Sequence, residues 1–437
     1  MDLSSLSGGG KQPEQAPPPM EYTAQLTSPL LSGEVKLVVG EDVLAATGLF
    51  DAVALLYADM TALHLADYAV TIQTESGNLV ISRMGSWCEP FYAALLAAYN
   101  KKVLQALFVS GAPLLTAEGA YRHAENGGVL SGTAPVRLFE NSVCTLPPDL
   151  HARRIPLCFL TGMDRSEYEI TLHLDEERYS ISKLGYDTAP FADGVEKQLR
   201  TLREQALAAV WEFDPTLTGM QAAAIAKLMP EGAAAPMGKL AAIAPSFVQA
   251  LEEAIDAGRA AESYKAFCGL SNPEDIYIGI RKNAASAGTA GGPDALLSGG
   301  NPLEALKKLA DGESGEDTPQ PQPYLLWLIV PSPDKTACAV EFAGDLDDAA
   351  ATFVYRFDGS FDAFAKKLNY ALEAIDFKRE VIRLTDGELQ AAERSDRRMA
   401  LQRNPSLQLV RRCFAGRVIH SGSWAEKLAA LWESPAT

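Results

Sequence analysis

Two stretches of this chain, one hundred residues apart, carry nearly the same phrase. "ISRMGSWCEPF" begins at Ile81 and "ISKLGYDTAPF" begins at Ile181, while upstream "DYAVTI" at Asp67 lies over "EYEITL" at Glu167 without a gap. The pattern predicts an internal duplication, so one copy should fold as the other does. The identical pairs are Tyr68/Tyr168, Thr71/Thr171, Ile81/Ile181, Ser82/Ser182, Gly85/Gly185, Pro90/Pro190 and Phe91/Phe191.

Each copy changes its hydrophobic period part-way along. Apolar and polar residues first alternate around Val70, which indicates half-buried strands, and "ESGN" at Glu75 is typical of a hairpin turn. After Gly85 the apolar residues recur at intervals of three and four from Phe91 onward, as on one face of a helix. Pro90 suits the first turn of that helix, because its missing N–H would have no partner there. Each copy is therefore predicted to be a row of short strands followed by one amphipathic helix.

This order resembles the pleckstrin-homology (PH) superfold, particularly its bacterial members. The resemblance implies a binding module whose C-terminal helix closes a strand barrel. Many PH members bind phosphoinositides through clustered Lys and Arg in the first hairpin, but here only Lys36 and Arg137 stand there, beside Glu41 and Glu140. The resemblance thus favours a peptide or protein partner, which other members bind by adding a strand to the sheet.

The predicted fold class is α+β, with tandem PH-like barrels or sandwiches, each closed by a C-terminal helix, and then a helical segment and a third α+β module. The hairpin-then-helix order around "VYRFDGSF" is open to two interpretations, a divergent third PH-like copy or an unrelated domain. The predicted ranges are a disordered tail (1–29), PH-like domains (30–110 and 111–211), a helical segment (212–270), an α+β module (271–377) with a flexible insertion (283–322), and a basic helical region (378–437).

Charge and composition narrow the classes of partner. The formal net charge of −18 disfavours nucleic acid and anionic lipid as general partners. The six cysteines lack zinc-binding spacing and are expected to be buried or half-buried free thiols. No apolar signal segment stands near the N-terminus. The longest intensely apolar run, "YLLWLIV" at Tyr324, is too short to span a bilayer and is typical of a buried strand. A cytoplasmic location is the expectation.

The candidate partner-binding residues are one aromatic residue and an arginine cluster. Trp87 lies in the turn before the first helix, where a large aromatic side chain can anchor a partner or pack over the end of the strands. The region from Lys378 onward holds eleven Lys and Arg against seven Asp and Glu. Its arginines form either a patch for an acidic partner or a solvated helix face. The cluster residues proposed for binding are Arg397, Arg398, Arg411 and Arg412.

No catalytic, cofactor-binding or metal-binding residue emerges from the motifs. The five histidines lack metal-ligand spacing, and the chain has no P-loop and no nucleophile elbow. His420 and Ser423 invite a nucleophile hypothesis, but Ser423 suits a helix cap better. Cys88 stands just before a predicted helix N-terminus, where a thiolate is favoured, but the second copy has Thr188 there, so the repeated layout does not require a thiol. The favoured function is a non-enzymatic scaffold or adaptor. The alternatives are a peripheral membrane protein that uses the Arg cluster and an enzyme whose site forms between domains.

Overall fold

A computed structural model describes residues 21–125, 127–175, 177–258, 260–282, 324–343 and 351–433. The expected insertion at 283–322 and most of the expected tail lie outside these described residues. The described chain divides into two compact units. The first runs to Val103 and includes Pro148–Leu150, and the second contains the remainder.

The first unit is built on a seven-stranded antiparallel sheet. Its order is β4-β3-β2-β1-β7-β6-β5, so β4 and β5 are the edge strands. The backbone N–H of Leu63 in β5 donates to the carbonyl of Pro148 at 2.8 Å, so the segment Pro148–Leu150 lines that edge. Helix α1 (Cys88–Ala106) follows the last strand. The strands are β1 Glu21–Thr27, β2 Ser32–Val39, β3 Val43–Thr47, β4 Ala52–Leu56, β5 Met60–Ala66, β6 Ala69–Thr74 and β7 Gly77–Ser82.

The second unit begins with a sheet of the same topology. Its order is β11-β10-β9-β8-β14-β13-β12, which repeats the first order with each label raised by seven. Helix α2 (Thr188–Phe213) follows its last strand. The strands are β8 Leu115–Glu125, β9 Gly128–Leu138, β10 Ser142–Thr145, β11 Arg153–Pro156, β12 Gly162–Arg165, β13 Glu169–Leu174 and β14 Glu177–Ser182.

The turn between last strand and helix has the same conformation in both copies. Gly85 and Gly185 have φ of 57° and 60°, a left-handed conformation that glycine adopts without steric cost. Arg83 and Lys183 both have φ of 59°, although each carries a side chain. The first helical aromatic, Phe91 or Phe191, is 0% or 1% exposed. The expected strand-then-helix layout is therefore present twice, on two separate sheets.

A third sheet of six antiparallel strands completes the second unit, in the order β15 to β20. Both of its faces are buried, because Leu326 and Leu328 face one apolar cluster while Trp327 and Ile329 face another. The run "YLLWLIV" thus forms a central strand rather than a half-exposed one. The strands are β15 Ala234–Pro236, β16 Tyr277–Lys282, β17 Tyr324–Pro331, β18 Ala337–Ala343, β19 Ala351–Arg356 and β20 Phe414–Ile419.

The remaining described helices supply both of these clusters. Those before β16 contribute to the first cluster together with the last helix, and α7 packs into the second. They are α3 Gly219–Leu228, α4 Met237–Ile243, α5 Pro245–Asp256, α6 Ala261–Leu270, α7 Phe361–Ala374, α8 Glu380–Arg383, α9 Asp386–Leu389, α10 Ser395–Arg403, α11 Pro405–Arg412 and α12 Trp424–Glu433.

Four sequence-based expectations differ from this fold. The tail predicted over 1–29 is too long, because Glu21–Thr27 is β1, a central strand whose alternate residues are buried. The segment predicted to be helical, 212–270, also contains the short strand β15, which pairs with β16. The third module is not a copy of the first two, because its strands pair in sequence order, whereas the copies pair the first strand with the last. The region 378–437 is not wholly helical, because Phe414–Ile419 pairs with β19 as the last strand of the third sheet.

Candidate docking surface

Three turns of the first sheet lie together at one end. They join β1 to β2, β3 to β4 and β6 to β7. A Cβ on Gly48 would lie 3.5 Å from Leu31 Cδ1, and a Cβ on Gly77 would lie 3.0 Å from Pro29 Cγ. The first turn therefore contacts both of the others, and the three form one continuous surface.

Large apolar side chains project from these turns into solvent. Leu30 is 68% exposed, Leu49 is 86% exposed and Phe50 is 89% exposed. The N–H of Gly48 donates to the carbonyl of Asp51 at 2.8 Å, so Leu49 and Phe50 occupy the centre of a tight turn. Glycine, Asn and Asp favour such positions, and two exposed apolar residues there contribute nothing to the local fold. Adjacent exposed apolar residues mark interaction surfaces.

The edge strand β4 begins two residues after Phe50, with the exposed Asp51 between them, and extends this apolar surface. Its sequence, "AVALL", contains neither charge nor proline, and its five residues are exposed or half-buried. Edge strands commonly carry Lys, Pro or a covering element, because their outward backbone groups can pair with another chain. Strand β4 has none of these protections among the described residues. Leu30, Leu49, Phe50 and Ala52–Leu56 are called the β4 surface below.

Carboxylates border the β4 surface. Glu34, Asp51 and Glu75 are all exposed and lie in or beside the three turns. The nearest cation along β2, Lys36, is paired with Glu21 at 3.3 Å. An apolar surface with an acidic border complements a partner whose apolar residues stand beside Lys or Arg.

The matching place on the second sheet is buried. Strand β11 reads "RRIP"; Arg153, Ile155 and Pro156 are buried and Arg154 is half-buried. Arg153 Nε donates to Glu125 at 3.0 Å within the sheet. Arginine and proline on a short strand are the protections that β4 lacks.

Helix α7 covers this place. Arg154 makes a bidentate ion pair with Glu373, with both N–O distances at 2.6 Å and both side chains under 10% exposed. The Tyr370 ring lies 4.4 Å from the Phe159 ring. Lys366 Nζ lies 3.1 Å from an Asp175 carboxylate oxygen in the β13–β14 turn, and the neighbouring lysine makes a similar pair, Lys367 with Glu177 at 3.0 Å.

Strand pairing shows which residues are equivalent in the two sheets. Val43 pairs with Leu56 and Ser142 pairs with Pro156, and the next N–H after each edge strand donates to the turn before β3 or β10. Two residues before Leu56 and Pro156 stand Ala54 in β4 and Arg154 in β11, which are therefore equivalent. The β6–β7 and β13–β14 ladders align at an offset of one hundred, so Glu75 corresponds to Asp175. One of these matching places thus lies under a helix, whereas the other is exposed.

The sequence patterns considered above do not indicate the β4 surface. They indicate Trp87, which lies after the far end of β7, away from the three turns. Trp87 is 55% exposed and makes an edge contact with Tyr22, with ring centroids 6.3 Å apart. The signal that could have revealed the surface is "GLFD", a turn-forming tetrapeptide with two large apolar residues at its centre.

The proposed arginine cluster makes mainly internal contacts. Arg398 is 9% exposed and donates to the carbonyls of Leu389 and Gln390. Arg411 donates to the carbonyls of Val381 and Ile382 and pairs with Asp386 at 2.8 Å. Arg397 pairs with Glu380 at 3.4 Å, whereas Arg412 is exposed at the end of α11. These contacts stabilise the packing of α8 to α11 and favour a structural role.

A polar cluster lies beside the start of β19. His420 Nε2 lies 3.2 Å from the buried Glu341 carboxylate, which also accepts a short hydrogen bond from Thr352. Trp424 Nε1 donates to Thr352 Oγ1 at 2.8 Å. The hydrogen bond to Glu341 raises the pKa of His420. Ser423 is not among these contacts. The hydroxyl in the cluster belongs to Thr352, which is buried and lies 3.3 Å from His420 Nε2, so the contacts join His420 and α12 to β19.

The cysteines are free, as expected, and are buried or half-buried. Burial, followed by the charge of Glu89, raises the pKa of Cys88, which opposes a thiolate at that helix start. Within the described ranges, no group of three or more His, Cys, Asp and Glu residues is arranged to hold a metal ion.

A cavity of about 670 Å³ lies between α2 and the third sheet. The two cations that line it are paired: Lys282 lies 3.5 Å from Glu212, which also accepts from Tyr324, and Arg281 pairs with Asp376 at 2.8 Å. Burial raises the pKa of Glu231 at its wall, which favours the neutral acid. Nucleophile, base and orienting group do not converge among its described residues, so it offers no specific reaction.

No protein-family model matches the chain, and no curated protein matches it either. Across the described residues, no helix is both long enough and apolar enough to cross a membrane. The geometry of the molecule itself therefore carries the functional argument.

Proposed function

We propose that this protein is a non-enzymatic cytoplasmic adaptor, built from two PH-like units and a third α+β module, that binds a protein partner through the β4 surface. One observation carries the proposal. The same place occurs on two sheets of equal topology, buried under α7 on the second and exposed on the first. A place that one sheet covers with its own chain, and that the other sheet exposes as an apolar surface, is expected to be covered there by another chain.

The size of the exposed apolar side chains supports this proposal. Burying a Leu or Phe side chain contributes about 1.5–3 kcal/mol each. Leu30, Leu49 and Phe50 are exposed in this chain and leave that contribution unused. Since turns rarely place such residues at their centre, the binding of a partner gives them a physical role.

A paired capture experiment tests the proposal. The tagged chain and its Leu49→Asp/Phe50→Asp variant are used as baits in extracts of the native cell, and bound proteins are quantified by mass spectrometry. The control is Tyr68→Asn, which changes a 75% exposed aromatic residue in another turn of the same sheet; Asn tolerates the φ of 57° there.

One stoichiometric protein should be captured by the wild type and the control and lost from the double variant. Circular dichroism of the three baits checks that they are equally folded. Equal capture by all three baits would contradict the β4 surface as the docking site.

A further inference from the structure

We infer that the partner presents an amphipathic helix to the β4 surface, with a Lys or Arg opposite Glu75 and an apolar residue seven positions later opposite Ala54. This inference rests on the proposed function and specifies its partner. It follows from the way in which α7 covers the matching place on the second sheet.

Helix α7 shows how a helix fits this place. Lys366, Tyr370 and Glu373 stand at positions i, i+4 and i+7, so they form a single stripe along the helix. Lys366 meets Asp175 at the β13–β14 turn, and Glu373 meets Arg154 on the edge strand. The opposite face of α7 carries the large apolar residues that pack into the third sheet, among them Phe364, Leu368 and Leu372.

The equivalent residues on the first sheet indicate which side chains a helix bound there should carry. Asp175 corresponds to Glu75, so the acidic end of the site is retained. Arg154 corresponds to Ala54, so the cation that receives Glu373 is lost and an apolar contact takes its place. A helix that fits the first sheet should thus keep the basic residue of α7 and replace the acidic one by an apolar residue.

The charges around the site favour this occupant over a lipid surface. Glu34, Asp51 and Glu75 are exposed around the apolar turns, and carboxylates there repel anionic head groups. An unpaired edge strand can also accept a partner strand. The helix is preferred because a helix, rather than a strand, lies over the same place on the second sheet.

A labelled peptide tests this expectation. The probe is the α7 sequence Phe361–Ala374 with Glu373→Leu, and with Phe364, Leu368 and Leu372 replaced by Gln for solubility. Its binding to the full chain is followed by fluorescence anisotropy. The full chain should bind this probe, and its Glu75→Lys variant should bind at least about tenfold more weakly, as expected for a lost and reversed charge contact.

The decisive experiment exchanges the two charges between the probe and the chain. A probe that also carries Lys366→Glu should bind poorly to the wild-type chain and regain affinity for the Glu75→Lys chain. The control chain is Glu167→Lys, an exposed carboxylate on the second sheet, which should bind the original probe like the wild type. A lack of rescue by the exchanged charges would overturn the inference.

Two further results would also overturn it. Proline in place of Tyr370 would interrupt the helix of the probe. If this probe binds as tightly as the original probe, the partner adds a strand to the sheet instead. Phe50-dependent binding of the chain to phosphatidylserine-containing vesicles, without binding of the probe, would indicate a membrane surface. The proposed function is tested separately. If the Leu49→Asp/Phe50→Asp variant loses capture of the native partner, the proposed function is supported even when no peptide probe binds.

Discussion

The ion pair between Arg154 and Glu373 should be the strongest polar link between the second sheet and α7. Both side chains are nearly buried, 5% and 8% exposed, and their two N–O contacts are 2.6 Å long. The Glu373 carboxylate raises the pKa of Arg154 against the opposing effect of burial, so the guanidinium stays charged. Replacing Glu373 by Leu would leave this charge buried without its counter-ion, which costs about 3–5 kcal/mol.

Thermal unfolding followed by circular dichroism measures this cost. Glu373→Leu should lower the melting temperature by roughly 10 °C, since about 1 kcal/mol corresponds to 2–4 °C in a chain region of this size. The matched control is Lys366→Ala, which removes a pair whose side chains are 57% and 45% exposed and should cost about 0.2–1 kcal/mol. The double variant Arg154→Met/Glu373→Leu should regain most of the loss, because no unpaired charge remains buried. Equal small effects of the two single variants would refute the reasoning that α7 is fixed by a buried ion pair.

Three further predictions concern the pH dependence of unfolding and close packing. Burial lowers the pKa of His123 to about 4, so the unfolded chain binds a proton at higher pH than the folded chain does. The free energy of unfolding should therefore fall by about 3 kcal/mol as the pH drops from about 6.5 to 4. In urea titrations, a His123→Phe variant should lose less stability over this pH range. The pKa of His420 is raised, so its pH effect has the opposite direction. Its contribution to the free energy of unfolding is complete below about pH 6.5 and is lost as the pH rises through the raised pKa. His420→Gln should make stability less dependent on pH in this range, and an unchanged slope would argue against the contact with Glu341. A Cβ at Gly279 would lie 2.2 Å from the Trp327 ring, so Gly279→Ala should destabilise the third sheet by about 1–3 kcal/mol in chemical denaturation, whereas Gly269→Ala, with no atom within 4 Å of the new carbon, should not.

The repeated layout was predictable from the residues alone, because it depends on local periodicity. Alternation around Val70 marks strands, recurrence at three and four after Phe91 marks the helix, and Gly85 marks the left-handed turn between them. Each signal depends on a few neighbouring residues and appears in both copies. The local pattern also indicated the apolar strand at Tyr324.

The tertiary structure alone decided which surfaces are available. Arg398 and Arg411 look exposed in a basic stretch, but the packing of four short helices turns them toward backbone carbonyls. "AVALL" and "RRIP" are both short strands, and only the fold shows that α7, more than two hundred residues after β11, covers the second and leaves the first exposed. Periodicity indicates which side chains prefer burial. Which segment buries them depends on contacts between residues far apart in the chain.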